Sequence, residues 1–119
     1  MNVTTERVPG FGLQLTADVF GNPGDPTVVL LHGGGQTRHS WGRAAAALAE
    51  AGYRAASVDL RGHGDSDWSP DGQYGIDQFA GDVLALSEHF RTEHGPPAFV
   101  GSSLGGLSIL VAIGSADPA

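Results

Sequence analysis

The chain has 119 residues, 40% hydrophobic and 16% charged, with a formal net charge of −7 and no cysteine, which excludes disulfides, thiolate metal sites and a cysteine nucleophile. Its six basic residues are all arginine, scattered from Arg7 to Arg91 without the basic stripe that nucleic-acid binding needs. No basic segment followed by an apolar core opens the chain, and the longest apolar stretch, around Leu107 to Ile113, is too short for a bilayer, so a soluble cytoplasmic domain that binds neither membrane nor nucleic acid is expected.

In chain order, Val3–Val8 and Leu13–Phe20 read as strands joined at Pro9-Gly10-Phe11-Gly12, an antiparallel hairpin. Thr27–Leu31 is a continuous apolar run, as in a strand covered on both faces. An alanine-rich helix is predicted from about Ser40 to Ala51, with Trp41, Ala45, Leu48 and Ala49 on one face and Gly52 as its C-cap. Tyr53–Val58 reads as another buried strand. A loop rich in Gly, Asp, Ser and Pro follows, to about Tyr74. A second helix is predicted over Ile76–Arg91, where Phe79, Val83, Leu86 and Phe90 share a face. Ala98–Val100 is a last strand and Leu104–Ile113 a last helix. Alternation after the hairpin implies an α/β fold, a mostly parallel sheet with crossover helices. Ligands of such sheets bind beyond the carboxyl ends of the strands, where His32-Gly33-Gly34, Asp59-Leu60-Arg61-Gly62 and Ser103 are expected to converge.

Gly101-Ser102-Ser103-Leu104-Gly105 has the Gly-x-Ser-x-Gly form of a nucleophile elbow, a sharp strand-to-helix turn that holds its serine in a strained conformation. By itself the motif is weak: it arises by chance about 0.2 times in a chain this glycine-rich. A glycine-rich turn with an incidental serine has the same sequence. His63, Asp65 and Asp67 lie close in sequence but lack the spacing of a common metal site, so no metal is expected. Gly33-Gly34-Gly35 lacks the third glycine of a dinucleotide loop, and no lysine is present for a phosphate loop. No cofactor is expected.

Three segments in order carry a family resemblance. His32-Gly33-Gly34 is followed by Trp41, nine residues after the histidine; Asp59-Leu60-Arg61-Gly62-His63-Gly64-Asp65-Ser66 comes next; Gly101, Ser103 and Gly105 close the series. Together they resemble the N-terminal half of an α/β-hydrolase. The resemblance implies a truncated α/β-hydrolase fold, with residues 1–119 the N-terminal portion of a single domain. It implies Ser103 as nucleophile, with backbone N–H groups of Gly34 and Leu104 as the oxyanion hole. It implies a small ester-like substrate and acyl-group hydrolysis. A cofactor-free haloperoxidase or perhydrolase of the same fold, or a non-catalytic remnant, are the alternatives. The Asp59–Ser66 loop is structural in this family, and His32 shapes its loop.

A serine hydroxyl needs a histidine base and a carboxylate to orient that base. After Ser103 the sequence holds one acid, Asp117, expected to point away from the rim, and no histidine. Little or no turnover is therefore expected of these 119 residues. Ala98–Val100 is expected to lie at a sheet edge, open to self-association.

Overall fold

The structure, a computed structural model, describes residues 2–116. Asp117 lies outside the described residues. Five strands form one sheet in the order β1-β2-β4-β3-β5: β1 Val3–Pro9, β2 Gln14–Phe20, β3 Thr27–Leu31, β4 Arg54–Val58 and β5 Ala98–Gly101. β2 is antiparallel to both β1 and β4, while β3 is parallel to β4 and β5. Four strands therefore run one way and β2 alone runs against them. The hairpin register runs from Val3 opposite Phe20 to Pro9 opposite Gln14. β1 is an edge strand, and its exposed Thr4, Thr5, Glu6 and Arg7 suit an edge that must not recruit another chain.

Period-two alternation splits the central strands between two cores. Val29 and Leu31 of β3, with Ala56 and Val58 of β4, face Phe79, Val83, Leu86 and Phe90 of helix α2, Ile76–His89. Leu30 and Ala55 face the opposite way, toward Ala45 and Leu48 of helix α1, Gly42–Glu50, and toward Trp41. Helix α3, Leu104–Ala116, joins α2 on the first face through Ala112 and Ile109. Helices on both faces explain why Thr27–Leu31 is apolar throughout.

Element ends differ from the sequence reading for local reasons. Residues 38–41 form a short 3-10 turn, so α1 begins at Gly42 rather than near Ser40. The Arg38 N–H donates to the Asp59 carboxylate at 2.6 Å, and the Arg38 carbonyl accepts from Ser57 Oγ, which fixes this turn against β4. At the other end of α1, Gly52 N–H donates to Ala49 O and Tyr53 N–H to Leu48 O. That pair of bonds is a Schellman cap. It claims Tyr53 for the helix terminus, and β4 starts one residue later. α2 stops at His89 rather than Arg91, and Thr92 and Gly95 close a tight turn beyond it through two backbone bonds. No helix of the described residues is long and apolar enough to cross a membrane.

Among the described residues β5 pairs only with β3 and lies at the sheet edge. Val100 on it is 42% exposed, and Leu107, Leu110 and Ile113 of α3 are exposed beside it.

Candidate active site

The carboxyl ends of β3, β4 and β5 open on one rim. There β5 turns into α3 through Ser102 and Ser103. Ser103 has φ 52, the one non-glycine residue with positive φ among those described. L-residues other than Asn and Asp rarely adopt this region, and the strain costs about 1–3 kcal/mol. The turn is held on both sides: Ser102 N–H donates to Leu31 O at 3.2 Å, Gly105 N–H to Ser102 O at 3.0 Å and Leu107 N–H to Ser103 O at 2.9 Å. The flanking glycines are required by close approach. A Cβ at Gly101 would lie 2.6 Å from the Gly105 carbonyl carbon, and one at Gly105 would lie 2.5 Å from the Leu31 carbonyl oxygen. The side chain of Ser103 is exposed at the tip.

The loop after β3 lies against this turn. A Cβ on Gly33 would stand 3.4 Å from the Ser103 Cβ, and one on Gly34 would stand 3.9 Å from Leu104 Cδ2. Gly33 N–H donates to Gln36 Oε1 at 3.0 Å and Gly35 N–H to His63 Nε2 at 3.2 Å. The Gly34 N–H between them has no partner among the described residues. Neither has the N–H of Leu104, in the first turn of α3, where helical N–H groups are unsatisfied. The structure thus brings Ser103, Gly34 and Leu104 to one place, as the motif order requires.

The loop after β4 is the frame of this rim. Asp59 is fully buried, and its carboxylate accepts from Arg38 N–H, Arg38 Nη1 at 2.6 Å and Asp65 N–H at 3.0 Å. A Cβ on Gly64 would overlap that carboxylate. Ser66 Oγ donates to Asp59 O at 2.6 Å and accepts from Thr16 N–H at 2.8 Å, tying the loop to β2. Every polar residue of the Asp-x-x-Gly-x-Gly-x-Ser pattern is therefore spent on loop shape. Burial works against the Arg38 charge, but hydrogen bonds with Asp65, Asp59 and Asp18 outweigh it and hold the guanidinium above its ordinary pKa. His63, Asp65 and Asp67 diverge: the carboxylates turn to Arg38 and Arg7, and the imidazole to Arg61 O and Gly35 N–H. The Gln14 N–H and Arg7 hold the Asp67 carboxyl below the usual range.

Sequence reasoning missed Arg38, which anchors the frame by ion-pairing with Asp18, Asp59 and Asp65. It also missed Gln36 and the contact of His63 with Gly35. Nothing in the local sequence marks Arg38, because its three partners come from β2 and from the loop after β4. Four surface cavities have linings that omit Ser103, Gly34 and Leu104; one of about 340 Å³ lies between α2, α3 and β5, lined by Val83, Phe99 and Ile113 among others.

Comparison with known proteins matches residues 26–117 to the alpha/beta hydrolase fold. The chain belongs to the α/β-hydrolase family. An esterase of Mycobacterium tuberculosis is 42% identical over 87 residues, spanning 71% of this chain and 27% of its own length. Epoxide hydrolase A of the same organism is 35% identical over 96 residues, 78% of this chain and 30% of the relative. Among solved structures, epoxide hydrolase A of Mycobacterium thermoresistibile superposes with a TM-score of 0.83 at 31% identity, covering 93% of this chain and 34% of that one. This α/β-hydrolase chain thus spans about a third or less of the relatives it matches.

Proposed function

We propose that this chain carries the nucleophile portion of a serine-hydrolase site acting on a small ester-like substrate. Ser103 Oγ attacks the carbonyl carbon, and the N–H groups of Gly34 and Leu104 receive the negative charge that develops on the carbonyl oxygen. The alcohol then leaves, and water cleaves the acyl-serine ester. The observation that carries the reading is Ser103 at φ 52 beside the N–H groups of Gly34 and Leu104, which have no partner among the described residues, while Gly33 and Gly35 on either side of Gly34 are both engaged.

The relatives' names offer two chemistries, and residue 103 separates them. A serine oxygen that opens an epoxide forms an alkyl ether, which water does not readily cleave. A serine oxygen that attacks an ester forms another ester, which turns over. Serine at the elbow therefore favours acyl transfer. His32 and His63 each have both ring nitrogens engaged with the backbone, so neither serves as the base that takes the Ser103 proton.

A chimera joining residues 1–116 to the remaining portion of the M. tuberculosis esterase tests the proposal. It is expected to hydrolyse a short-chain chromogenic ester and leave an epoxide intact, and Ser103→Ala is expected to return turnover to background. The 119 residues alone are expected to stay near background. A folded chimera that opens the epoxide, or that keeps ester turnover without Ser103, overturns the assignment.

The proposal includes self-association through the strand Ala98–Val100. It is supported by the one-sided pairing of β5 and by the exposure of Val100, Leu107 and Leu110. Sedimentation is expected to show concentration-dependent dimers or larger species; a monodisperse monomer with a cooperative melt counts against it.

A further inference from the structure

Two imidazoles stitch the two rim loops together in reciprocal fashion. His32, at the end of β3, accepts Leu60 N–H from the loop after β4, through Nε2 at 3.0 Å. His63, in the loop after β4, accepts Gly35 N–H from the loop after β3, through Nε2 at 3.2 Å. Each ring donates its Nδ1–H to a carbonyl of its own loop: His32 to Gly33 O at 2.7 Å, His63 to Arg61 O at 2.9 Å. The ring centroids are 5.1 Å apart. These partners leave one protonation state for each ring: neutral, with the proton on Nδ1. A proton added at either Nε2 would set N–H against N–H and break one stitch.

We infer that His32 and His63 are a reciprocal clamp that positions the Gly33–Gly35 loop beside Ser103. The charged groups around the pair are Asp59, which acts on His32, and Arg38, whose Nη1 donates to the carboxylates of both Asp59 and Asp65. Burial, joined by the neighbouring His63, pushes His32 below the ordinary histidine value against the opposing pull of the Gly33 carbonyl and Asp59. The direction follows from linkage. His32, kept neutral by folding, contributes stability above its unfolded value of about 6.5, and that contribution is lost as pH falls. His63 is a positioning residue, since it acts on the substrate only through the placement of Gly34.

The consequence for catalysis rests on the proposed oxyanion role of Gly34, but the clamp itself is tested without turnover. Nitrogen-15 spectra of the 119-residue chain at pH 7.5 are expected to show both rings protonated at Nδ1 and bare at Nε2. The Gly35 amide is expected to show hydrogen-exchange protection of about tenfold, the scale of one hydrogen bond. His63→Phe fills the ring's space without an acceptor and should remove that protection. His63→Gln supplies a side-chain acceptor and should restore it. An Nε2–H tautomer on either ring in the wild-type chain overturns the clamp and requires no variant. So does Gly35 protection in His63→Phe equal to the wild-type value. If the clamp holds while Ser103→Ala leaves ester turnover of the chimera unchanged, the catalytic reading fails and the clamp stands.

Discussion

Gly105→Ala is expected to destabilise the chain by about 3 kcal/mol, the upper part of the range for overpacking a site that cannot relax. The new Cβ would lie 2.5 Å from Leu31 O and 2.8 Å from His32 O. Both are main-chain atoms at the end of β3, a strand paired on both sides, so the strand cannot yield without disturbing two ladders. Moving α3 instead would break the Ser102–Leu31 bond and tilt the elbow away from the rim. Helix propensity pulls the other way, since alanine is about 1 kcal/mol better than glycine in a helix interior. The sign of the measured change therefore decides whether close packing or propensity rules here. Gly114→Ala is the matched control: it lies in the same helix with nothing within 4 Å of the added Cβ, and it should stabilise by up to about 1 kcal/mol. Ser103→Gly relieves φ 52 and should also stabilise, by about 1 kcal/mol. Urea denaturation of the three variants gives all three values. A neutral or stabilising Gly105→Ala would mean that the helix does not approach β3 as closely as described.

These contrasts show what the sequence carries and what it does not. The α/β alternation, the helical face of Phe79, Val83, Leu86 and Phe90, and the apolar β3 follow from period and composition, because burial on one or both faces dictates them directly. The elbow was readable because Gly101 and Gly105 answer a steric demand at fixed spacing around Ser103. The strand order was not readable. Nothing local says that β4 inserts between β2 and β3, since that placement depends on a right-handed crossover and on the pairing of Ala17 with Val58. Charged residues were the least readable of all. The arginines looked scattered in sequence, yet Arg38 and Arg61 are buried, each paired with acids 20 or more positions away or on another strand. A pattern of one-letter types records periodicity along the chain, and these pairs are set by distances across it.

Asp82→Ala is expected to cost about 3–5 kcal/mol, because it strands a buried guanidinium. Arg61 and Asp82 are 1% and 2% exposed and meet through two bonds of 2.7 Å, Nε to Oδ2 and Nη2 to Oδ1. The remaining Arg61 donors reach Gln73 O at 2.8 Å and Phe11 O at 2.9 Å, while Asp82 Oδ1 also accepts Phe11 N–H at 2.7 Å. One ion pair thereby joins the hairpin turn, the rim loop and α2. Removing the carboxylate leaves the buried charge without its partner. Replacing both residues together, as Arg61→Met with Asp82→Leu, removes the charge and its partner at once and should recover most of the loss. Urea midpoints of the single and double variants make the comparison. A single-variant loss under about 1 kcal/mol would show that Arg61 finds solvent or another acceptor. The pair also bears on the rim, because the Arg61 carbonyl takes the His63 Nδ1–H. Asp82→Ala is therefore expected to lower the hydrogen-exchange protection of Gly35 as well, although Asp82 lies on a helix and touches neither loop glycine nor Ser103.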